Sequence, residues 1–250
     1  MCRYQNVCYA PLQDKIAAAY GIKCINTLTG FKWIGGRLEL YRKQLEKALG
    51  KSVDDLTYLE RAKLSQEYST FFVFGGEESY GYLGTDLVRD KDANAAVMMF
   101  CEMLGYLKSI GKTVDEYLDD IYLKCGYYLE SLRSVYREGA AGAKQIQDFL
   151  VKLGEKPLES VGGVKVAKAV NFAKDEIFDA DGIKIPSERF YFYTLENGYS
   201  FAIRGSGTEP KIKFYAFAHE KADSLEGLVK AKQTAKTELD RILDDLEANF

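Results

Sequence analysis

The feature that most constrains the fold is an Asn-Gly pair between two strand-like runs. FYFYTL (190–195) and YSFAIR (199–204) both alternate in hydrophobicity, and Asn197-Gly198 lies between them. Because the tightest hairpin turns need residues that adopt a positive φ, Asn-Gly in this setting is the strongest short signal for a β-hairpin. KIKFYAF (211–217) is a further run of the same kind. The sequence therefore predicts an antiparallel sheet in this region.

The rest of the C-terminal half mixes helix and strand. Apolar periodicity predicts helices over about 140–153 and 223–248, and residues 164–171 have the pattern of another strand. An antiparallel sheet with helices on one face is an α+β arrangement. We expect this α+β domain to span residues 136–250.

The N-terminal half alternates strands with helices. IKCIN (22–26) alternates like a strand, and FFVF (71–74) is a continuous apolar run, typical of a strand covered on both sides. Helical patterns follow over about 38–49 and 93–110. This order predicts an α/β domain over residues 1–135, with its loops at one edge of the sheet.

Composition excludes several classes of function. The chain has 250 residues and a formal net charge of -3, so no general attraction to nucleic acid or to acidic membranes is implied. Its five cysteines show no CxxC spacing and His219 is its single histidine, which argues against disulfide frameworks, zinc sites and histidine triads. No apolar run approaches the roughly 20 residues of a membrane span, and a signal-peptide pattern is lacking. We expect a cytoplasmic protein without nucleic-acid or membrane partners.

The stretch RGSGTEPKIK (204–213) interrupts two apolar strands with groups suited to phosphate. Its glycines permit a positive φ and close approach of a ligand, and freed backbone N–H groups form anion-binding concavities. The arginine offers a planar fork, and hydroxyls and lysines add donors and positive charge. The alternative is a plain β-turn with incidental polar residues. The residues concerned are Arg204, Gly205, Ser206, Gly207, Thr208, Lys211 and Lys213.

Two adjacent carboxylates follow the FFVF strand directly, in FGGEESYG (74–81). In α/β sheets, ligands bind beyond the carboxyl ends of the strands. A carboxylate there can accept hydrogen bonds from two neighbouring sugar hydroxyls, and Ser79 can donate or accept another. A metal site would need a third carboxylate, which is not nearby in the sequence. The alternative is a helix N-terminus, where the helix dipole favours acidic residues.

Three further charged stretches have both a structural and a functional interpretation. VRDKD (88–92) is either a solvated loop with local ion pairs or part of a site. Lys32, in TGFKWIGG, would bind phosphate or shuttle a proton if it faced a cleft. DADG (179–182) resembles a cation loop, but two carboxylates before a hairpin usually form an Asx turn, which is what we expect here.

Taken together and in order, these stretches resemble the α-D-phosphohexomutases. TLTGFKWIG, FGGEESYGYL, VRDKD and RGSGTEPKIKFY are most similar to the phosphoglucomutase/phosphomannomutase group. The resemblance covers nearly the whole chain and is weakest over the first ten residues. Members of that family have four domains, and this chain resembles the last two. The resemblance implies an α/β third domain with a sugar-recognition loop, and a small fourth domain, similar to the TATA-binding-protein fold, with a phosphate loop.

The resemblance also implies roles for individual residues. Glu77 and Ser79 would contact sugar hydroxyls, and Lys32 and Lys91 would be catalytic, as acid/base groups or phosphate contacts in the cleft. The phosphate loop would hold the phosphate that is not being transferred. Gly205 stands where the family commonly has proline, which predicts a looser loop. The implied substrate-binding residues are Glu77, Ser79, Arg89, Arg204, Ser206, Gly207, Thr208 and Lys213.

Two elements of the family's chemistry do not occur in the sequence. The catalytic serine, in its Ser-His loop, and the magnesium loop, Asp-x-Asp-x-Asp-Arg, belong to the family's first two domains. DADG lacks the third aspartate and the arginine. The resemblance therefore implies that the full-length enzyme uses Mg²⁺ and a hexose 1,6-bisphosphate, neither bound by this chain alone. This chain would act on a phosphosugar only together with the missing domains 1 and 2. A free-standing phosphosugar-binding module and a degenerate structural fragment are the alternatives.

Overall fold

The computed structural model describes residues 2–6, 11–77, 81–206 and 209–250, with backbone only for 2–6. The contacts between residues divide the chain into two compact units. The first comprises Met1–Tyr117 and Phe178–Ile183, and the second comprises Leu118–Ile177 and Lys184–Phe250.

The first unit is built on a four-stranded sheet in the order β2-β1-β3-β4. β1 pairs in parallel with both β2 and β3, and β4 is antiparallel to β3. This is the α/β architecture expected from the sequence. Its elements are β1 (Cys2–Asn6), α1 (Pro11–Ala19), β2 (Lys23–Thr27), α2 (Phe31–Leu49), α3 (Tyr58–Tyr68), β3 (Phe72–Gly76), β4 (Tyr82–Leu83) and α4 (Ala93–Ser109), and α5 (Val114–Cys125) continues into the second unit.

The helix α2 supplies most of the core of the first unit. Ile34, Leu38 and Tyr41 recur at helical spacing and are buried in one cluster with Ile25 and Phe72 of the sheet. The helix ends where the sequence predicts, because Gly50 adopts the left-handed conformation that closes a helix. This packing fixes the first turn of α2 against the edge of the sheet.

The helix α3 lies in a polar stretch for which the sequence pattern predicts no element. Thr57 and Glu60 form a complete capping box: the Glu60 N–H donates to Thr57 Oγ1 at 3.3 Å, and the Thr57 N–H donates to Glu60 Oε2 at 2.8 Å. The signal was present in the sequence, but the polar composition hid the helix that follows it.

The second unit is a six-stranded sheet in the order β5-β10-β9-β8-β7-β6, with helices packed on it. Every strand pair is antiparallel. Its elements are β5 (Tyr127–Tyr136), α6 (Gly139–Glu155), β6 (Ser160–Val161), β7 (Val164–Asn171), β8 (Phe190–Leu195), β9 (Ser200–Gly205), β10 (Lys211–Glu220) and α7 (Leu225–Ala248).

The helices α6 and α7 pack on one face of this sheet, as predicted. Ile203, Phe214 and Ala216 point to that face and are fully buried with apolar residues of both helices. The Asn-Gly hairpin is confirmed, since β8 and β9 pair across it and Gly198 has a φ of 86°. The α+β class of the second unit is therefore confirmed.

The predicted domain boundary at 135/136 falls inside β5. This strand pairs with β10 along its whole length, from Tyr127↔Glu220 to Tyr136↔Lys211. The contact-based second unit begins earlier, at Leu118. The position at which the chain divides into independently folding domains stays a prediction.

One core tyrosine gives the second unit a testable pH dependence. Tyr193 is buried and stacks on Phe201, and burial raises its pKa to about 12. Because this pKa lies above the value of about 10 in an unfolded chain, the stabilisation is complete below pH 10 and is lost as the pH rises toward 12. Over that interval we expect the parent to lose about 2 kcal/mol more unfolding free energy than Tyr193→Phe.

Urea unfolding of both proteins at several alkaline pH values measures this difference. Tyr136→Phe, which removes a hydroxyl from an exposed ring of the same unit, is the matched control. Parallel pH profiles for the parent and Tyr193→Phe would contradict the prediction.

Candidate functional site

The first candidate site lies at the carboxyl edge of the parallel strands. β2 and β3 flank β1, so the residues that follow these two strands meet beyond the end of the central strand. Glu77 follows β3, and its Oε1 accepts a hydrogen bond of 2.9 Å from the N–H of Gly30, which follows β2. Gly30 has a φ of 116°, a conformation that favours glycine. The Glu77 carboxylate is thereby fixed beside the N-terminus of α2, where the helix dipole stabilises negative charge.

Lys91 completes this arrangement from the other side. Its Nζ lies 2.8 Å from Glu77 Oε2 and 4.8 Å from the centre of the Phe31 ring. Burial lowers the pKa of Lys91, but the hydrogen bond and charge of Glu77, with the charge of Asp90, raise it more. The net shift is upward, so Lys91 carries a proton at neutral pH. Such a group suits phosphate contact or proton donation better than proton abstraction.

Lys32 and Arg89 lie at the beginning of α2 and in the loop after β4. The Lys32 ammonium is 4.9 Å from the centre of the Trp33 ring. Arg89 donates from Nη1 to the Asp86 carbonyl at 2.6 Å and lies 3.7 Å from a Glu39 carboxylate oxygen. Among the residues assigned to this site, the structure brings Glu77 and Lys91 into direct contact. Ser79 lies outside the described residues.

The second candidate site is the turn between β9 and β10. The Ser206 N–H donates to the Lys211 carbonyl at 2.9 Å, and the Glu209 N–H donates to Ser206 Oγ at 3.2 Å. Arg204 and Lys213 are directly paired across the two strands and so project from the same face of the sheet. The turn therefore places two cations beside a hydroxyl. Gly207 and Thr208 lie outside the described residues.

The cations of this turn form ion pairs with carboxylates to which the sequence assigned no role. Arg204 Nε and Nη2 lie 2.9 and 2.8 Å from Glu188 Oε1. Glu209 forms an ion pair with Lys211, and this hydrogen bond raises the pKa of the lysine. No local motif pointed to Glu188, because it lies on the preceding strand connection and meets Arg204 only through the β8–β9 pairing.

Gly205 has a different role from the one its sequence suggested. It does not adopt a positive φ and it pairs with Ile212 in the ladder. A Cβ at this position would lie 2.8 Å from Leu150 Cδ1 of α6. The glycine allows a helix side chain to pack closely on the strand, and the strand extends up to the turn.

DADG forms the predicted Asx turn. Asp179 Oδ1 accepts hydrogen bonds from the Asp181 and Ile183 N–H groups at 2.9 and 3.0 Å. Asp179 is fully buried and paired with Arg37, and Asp181 lies 2.7 Å from Lys23 Nζ. These carboxylates are used in ion pairs within the first unit. Across the part of the chain that the structure describes, no group of three or more His, Cys, Asp or Glu residues is arranged to hold a metal ion.

The helices give one further result. Within the described ranges, none combines the length and the apolar character that a membrane crossing would require.

The sequence is similar to those of known proteins. Residues 58–125 match the family model described as phosphoglucomutase/phosphomannomutase, alpha/beta/alpha domain III. The phosphoglucomutase of Staphylococcus saprophyticus is 28% identical over 216 residues, which is 84% of this chain and 35% of that protein. The phosphoglucomutase of Staphylococcus haemolyticus is 36% identical over 151 residues, 58% of this chain and 27% of that protein. The chain thus spans about a third of the length of these curated relatives.

A solved structure supports the fold. Parafusin, an exocytosis-sensitive phosphoprotein and phosphoglucomutase from Paramecium in its open form, aligns with a TM-score of 0.55 at 20% identity. The alignment covers 96% of this chain and 37% of that one.

The fold and the first site define an α/β domain with a fixed carboxylate–ammonium pair at the edge of its parallel strands, followed by an antiparallel α+β unit. The chain is similar to phosphoglucomutases over 84% of its length, and residues 58–125 match the third domain of the phosphoglucomutase/phosphomannomutase family.

Proposed function

We propose that the chain is the sugar- and phosphate-recognition part of a phosphohexomutase that interconverts hexose 1-phosphate and hexose 6-phosphate. The observation that carries the proposal is Glu77, held between the Gly30 N–H and the Lys91 ammonium at the carboxyl edge of the sheet. The names of the curated relatives support the same reaction class. A phosphosugar substrate, the remaining domains of the enzyme as partners, a TATA-binding-protein-like fourth domain and a cytoplasmic location belong to this proposal.

Sugar recognition rests on the lone pairs of Glu77. The carboxylate is oriented by the hydrogen bond from Gly30 and the ion pair with Lys91. A carboxylate accepts hydrogen bonds at either oxygen, and in the complex we expect Glu77 to accept them from neighbouring sugar hydroxyls. Lys91 keeps the carboxylate in place, and its charge also attracts the phosphate of the substrate. Recognition here is positioning plus electrostatics, the two contributions on which phosphoryl transfer mainly depends.

Phosphate recognition rests on Arg204 and the turn that follows it. The guanidinium fork matches two phosphate oxygens, and Lys213 on the neighbouring strand adds a second positive charge. Ser206 supplies a hydroxyl at the base of the turn. Binding of a phosphate dianion shifts Arg204 from Glu188 toward the ligand, since a dianion attracts the guanidinium more strongly than one carboxylate does.

Mg²⁺ and a hexose 1,6-bisphosphate belong to the whole enzyme in this proposal. Mg²⁺ prefers an octahedral set of oxygen ligands that includes carboxylates. The described residues offer no such group, so no step assigned to them involves the metal. Their part is to bind the sugar phosphate and to hold its orientation.

Binding of glucose 1-phosphate tests this proposal. We expect Arg204→Ala to weaken binding by about tenfold or more, because a charge-assisted pair is worth roughly 1.5–3 kcal/mol. Isothermal titration calorimetry of the parent and the variant measures the change. Arg241→Ala, which removes a half-exposed arginine of α7, is the matched control and should bind like the parent. Equal binding by Arg204→Ala and the parent would overturn the assignment.

A non-catalytic phosphosugar-binding module is the second candidate. It shares the binding residues and so predicts the same calorimetric result. The two differ when the chain is combined with the first two domains of a family member: a mutase part restores turnover in a coupled glucose 1-phosphate assay, and a binding module does not.

A further inference from the structure

The loop between β4 and α4, residues 84–91, carries two of the proposed site residues and has no regular secondary structure. Arg89 and Lys91 lie near its end. Leu87 and Val88 in its middle are 69% and 40% exposed, so apolar packing does not hold them. A segment without a backbone ladder or a buried side chain at its centre must be positioned by other contacts.

The strongest such contact is an ion pair with the neighbouring helix. Arg61 of α3 donates from Nε to Asp86 Oδ2 at 2.8 Å and from Nη2 to Asp86 Oδ1 at 2.9 Å. The two side chains are only 17% and 23% exposed. A two-point contact between a planar fork and a carboxylate fixes orientation as well as distance. The hydrogen bond to Asp86 raises the pKa of Arg61, and burial opposes that shift more weakly.

The ion pair is connected directly to Arg89. The backbone carbonyl of Asp86 accepts a hydrogen bond of 2.6 Å from Arg89 Nη1. Asp86 therefore uses its side chain to contact α3 and its main chain to contact Arg89. Further along the loop, Lys91 meets Glu77. A change at position 86 therefore alters a direct contact of Arg89, and Lys91 lies two residues further along the same loop.

The ion pair borders a cavity. Arg61, Asp86 and Arg89 line this space of about 400 Å³ together with residues of α2 and α3. A second arginine of the same cavity, Arg42, pairs with Glu46 and Asp54, neither of which belongs to the loop.

We propose that Arg61 and Asp86 are positioning residues of the sugar-phosphate site, acting through the loop 84–91 on Arg89 and Lys91. This inference rests on the proposed function. Losing the ion pair releases the loop, and the two cations then spend less time in the geometry that meets a phosphosugar. Binding of glucose 1-phosphate weakens while the phosphate turn of the second unit keeps its own affinity for inorganic phosphate.

The test compares Arg61→Met and Asp86→Asn with the parent, and uses Arg42→Met as the matched control. We expect both test variants to bind glucose 1-phosphate about five- to tenfold more weakly, since small misplacements of positioning groups have effects of this order or larger. Binding of inorganic phosphate should change less than twofold (roughly the scatter expected from a remote site). Arg42→Met should match the parent, and the reversed pair, Arg61→Asp with Asp86→Arg, should recover part of the loss.

Hydrogen exchange of the loop gives a readout that does not depend on ligand. We expect amides of residues 84–91 to exchange faster in Arg61→Met and Asp86→Asn, and to be unchanged in Arg42→Met. Unchanged exchange, or undiminished glucose 1-phosphate binding in both test variants, would overturn the inference. If the loop exchanges faster but the parent itself binds neither ligand, the proposed function fails, and the positioning role toward a phosphosugar fails with it.

Discussion

Replacing Gly35 by alanine will displace the loop 84–91 and destabilise the first unit, although alanine favours a helix. A Cβ at Gly35 would lie 2.6 Å from the Arg89 carbonyl oxygen, a backbone atom that cannot rotate away. Overpacking of this kind costs about 1–3 kcal/mol. The gain in helix propensity offsets about 1 kcal/mol of that cost. We expect a net loss of up to about 2 kcal/mol in urea unfolding, together with weaker binding of glucose 1-phosphate.

The next residue provides the matched control. Gly36 lies in the same helix and is exposed, and a Cβ there meets no atom within 4 Å. Gly36→Ala should therefore raise the unfolding free energy by about 1 kcal/mol and leave ligand binding unchanged. If the two alanine variants have the same stability and the same affinity, the contact between α2 and the loop does not position Arg89.

The sequence predicted those parts of the fold that local patterns encode. The spacing of Leu38, Tyr41 and Leu45 and the glycine at position 50 predicted α2 from residue 38 to its end. The structure begins this helix seven residues earlier, at Phe31. The Asn-Gly pair defined the hairpin of the second unit. The strand β5 was not predicted because YYLESLRSVY combines charged and apolar residues and lies at the expected domain boundary.

Predicting the candidate sites required both local chemistry and the family resemblance. Local chemistry pointed to Arg204 and to the carboxylates after β3. The resemblance assigned Glu77 to sugar recognition and Lys91 to the cleft. Contacts that join distant positions had no signal in a single sequence. Arg61 and Asp86 are 25 residues apart and meet only because α3 lies beside the loop. Their pairing depends on tertiary packing, which neither periodicity nor spacing reports.

The charged loop shows the same limit. VRDKD is compatible with a solvated loop that forms local ion pairs, and Lys91 does lie 3.5 Å from an oxygen of the adjacent Asp90. The shorter contact of Lys91 is with Glu77, at 2.8 Å. The choice between a solvated surface loop and a functional site therefore depends on Glu77, which lies outside the loop.

A fragment that begins at Lys112 will fold, whereas one that begins at Tyr136 will not. The longer fragment keeps α5, whose capping box is intact, since the Thr113 N–H donates to Glu116 Oε2 at 2.8 Å. It also keeps β5, which covers one edge of β10. The shorter fragment corresponds to the boundary predicted from the sequence, and it loses both elements.

The expected size of the loss follows from what β5 contributes. Tyr127 and Val135 belong to the core of the second unit, and removing them forfeits about 1.5–3 kcal/mol each. Removal of β5 also turns β10, with its buried Phe214 and Ala216, into an uncovered edge strand that is prone to pair with other chains. These two side chains together contribute about 3–6 kcal/mol, which overlaps the lower end of the roughly 5–15 kcal/mol that stabilises a whole domain.

Circular dichroism melting and size-exclusion chromatography distinguish the fragments. We expect a cooperative transition and a monomeric peak for the fragment that begins at Lys112, and aggregation without a transition for the one that begins at Tyr136. A third fragment, beginning at Gly126, keeps β5 and lacks α5, and so separates the strand's contribution from the helix's. Cooperative melting of the shortest fragment at the same temperature as the longest would place the boundary at 135/136 after all. In that case the ladder between β5 and β10 would be dispensable for folding of the C-terminal domain.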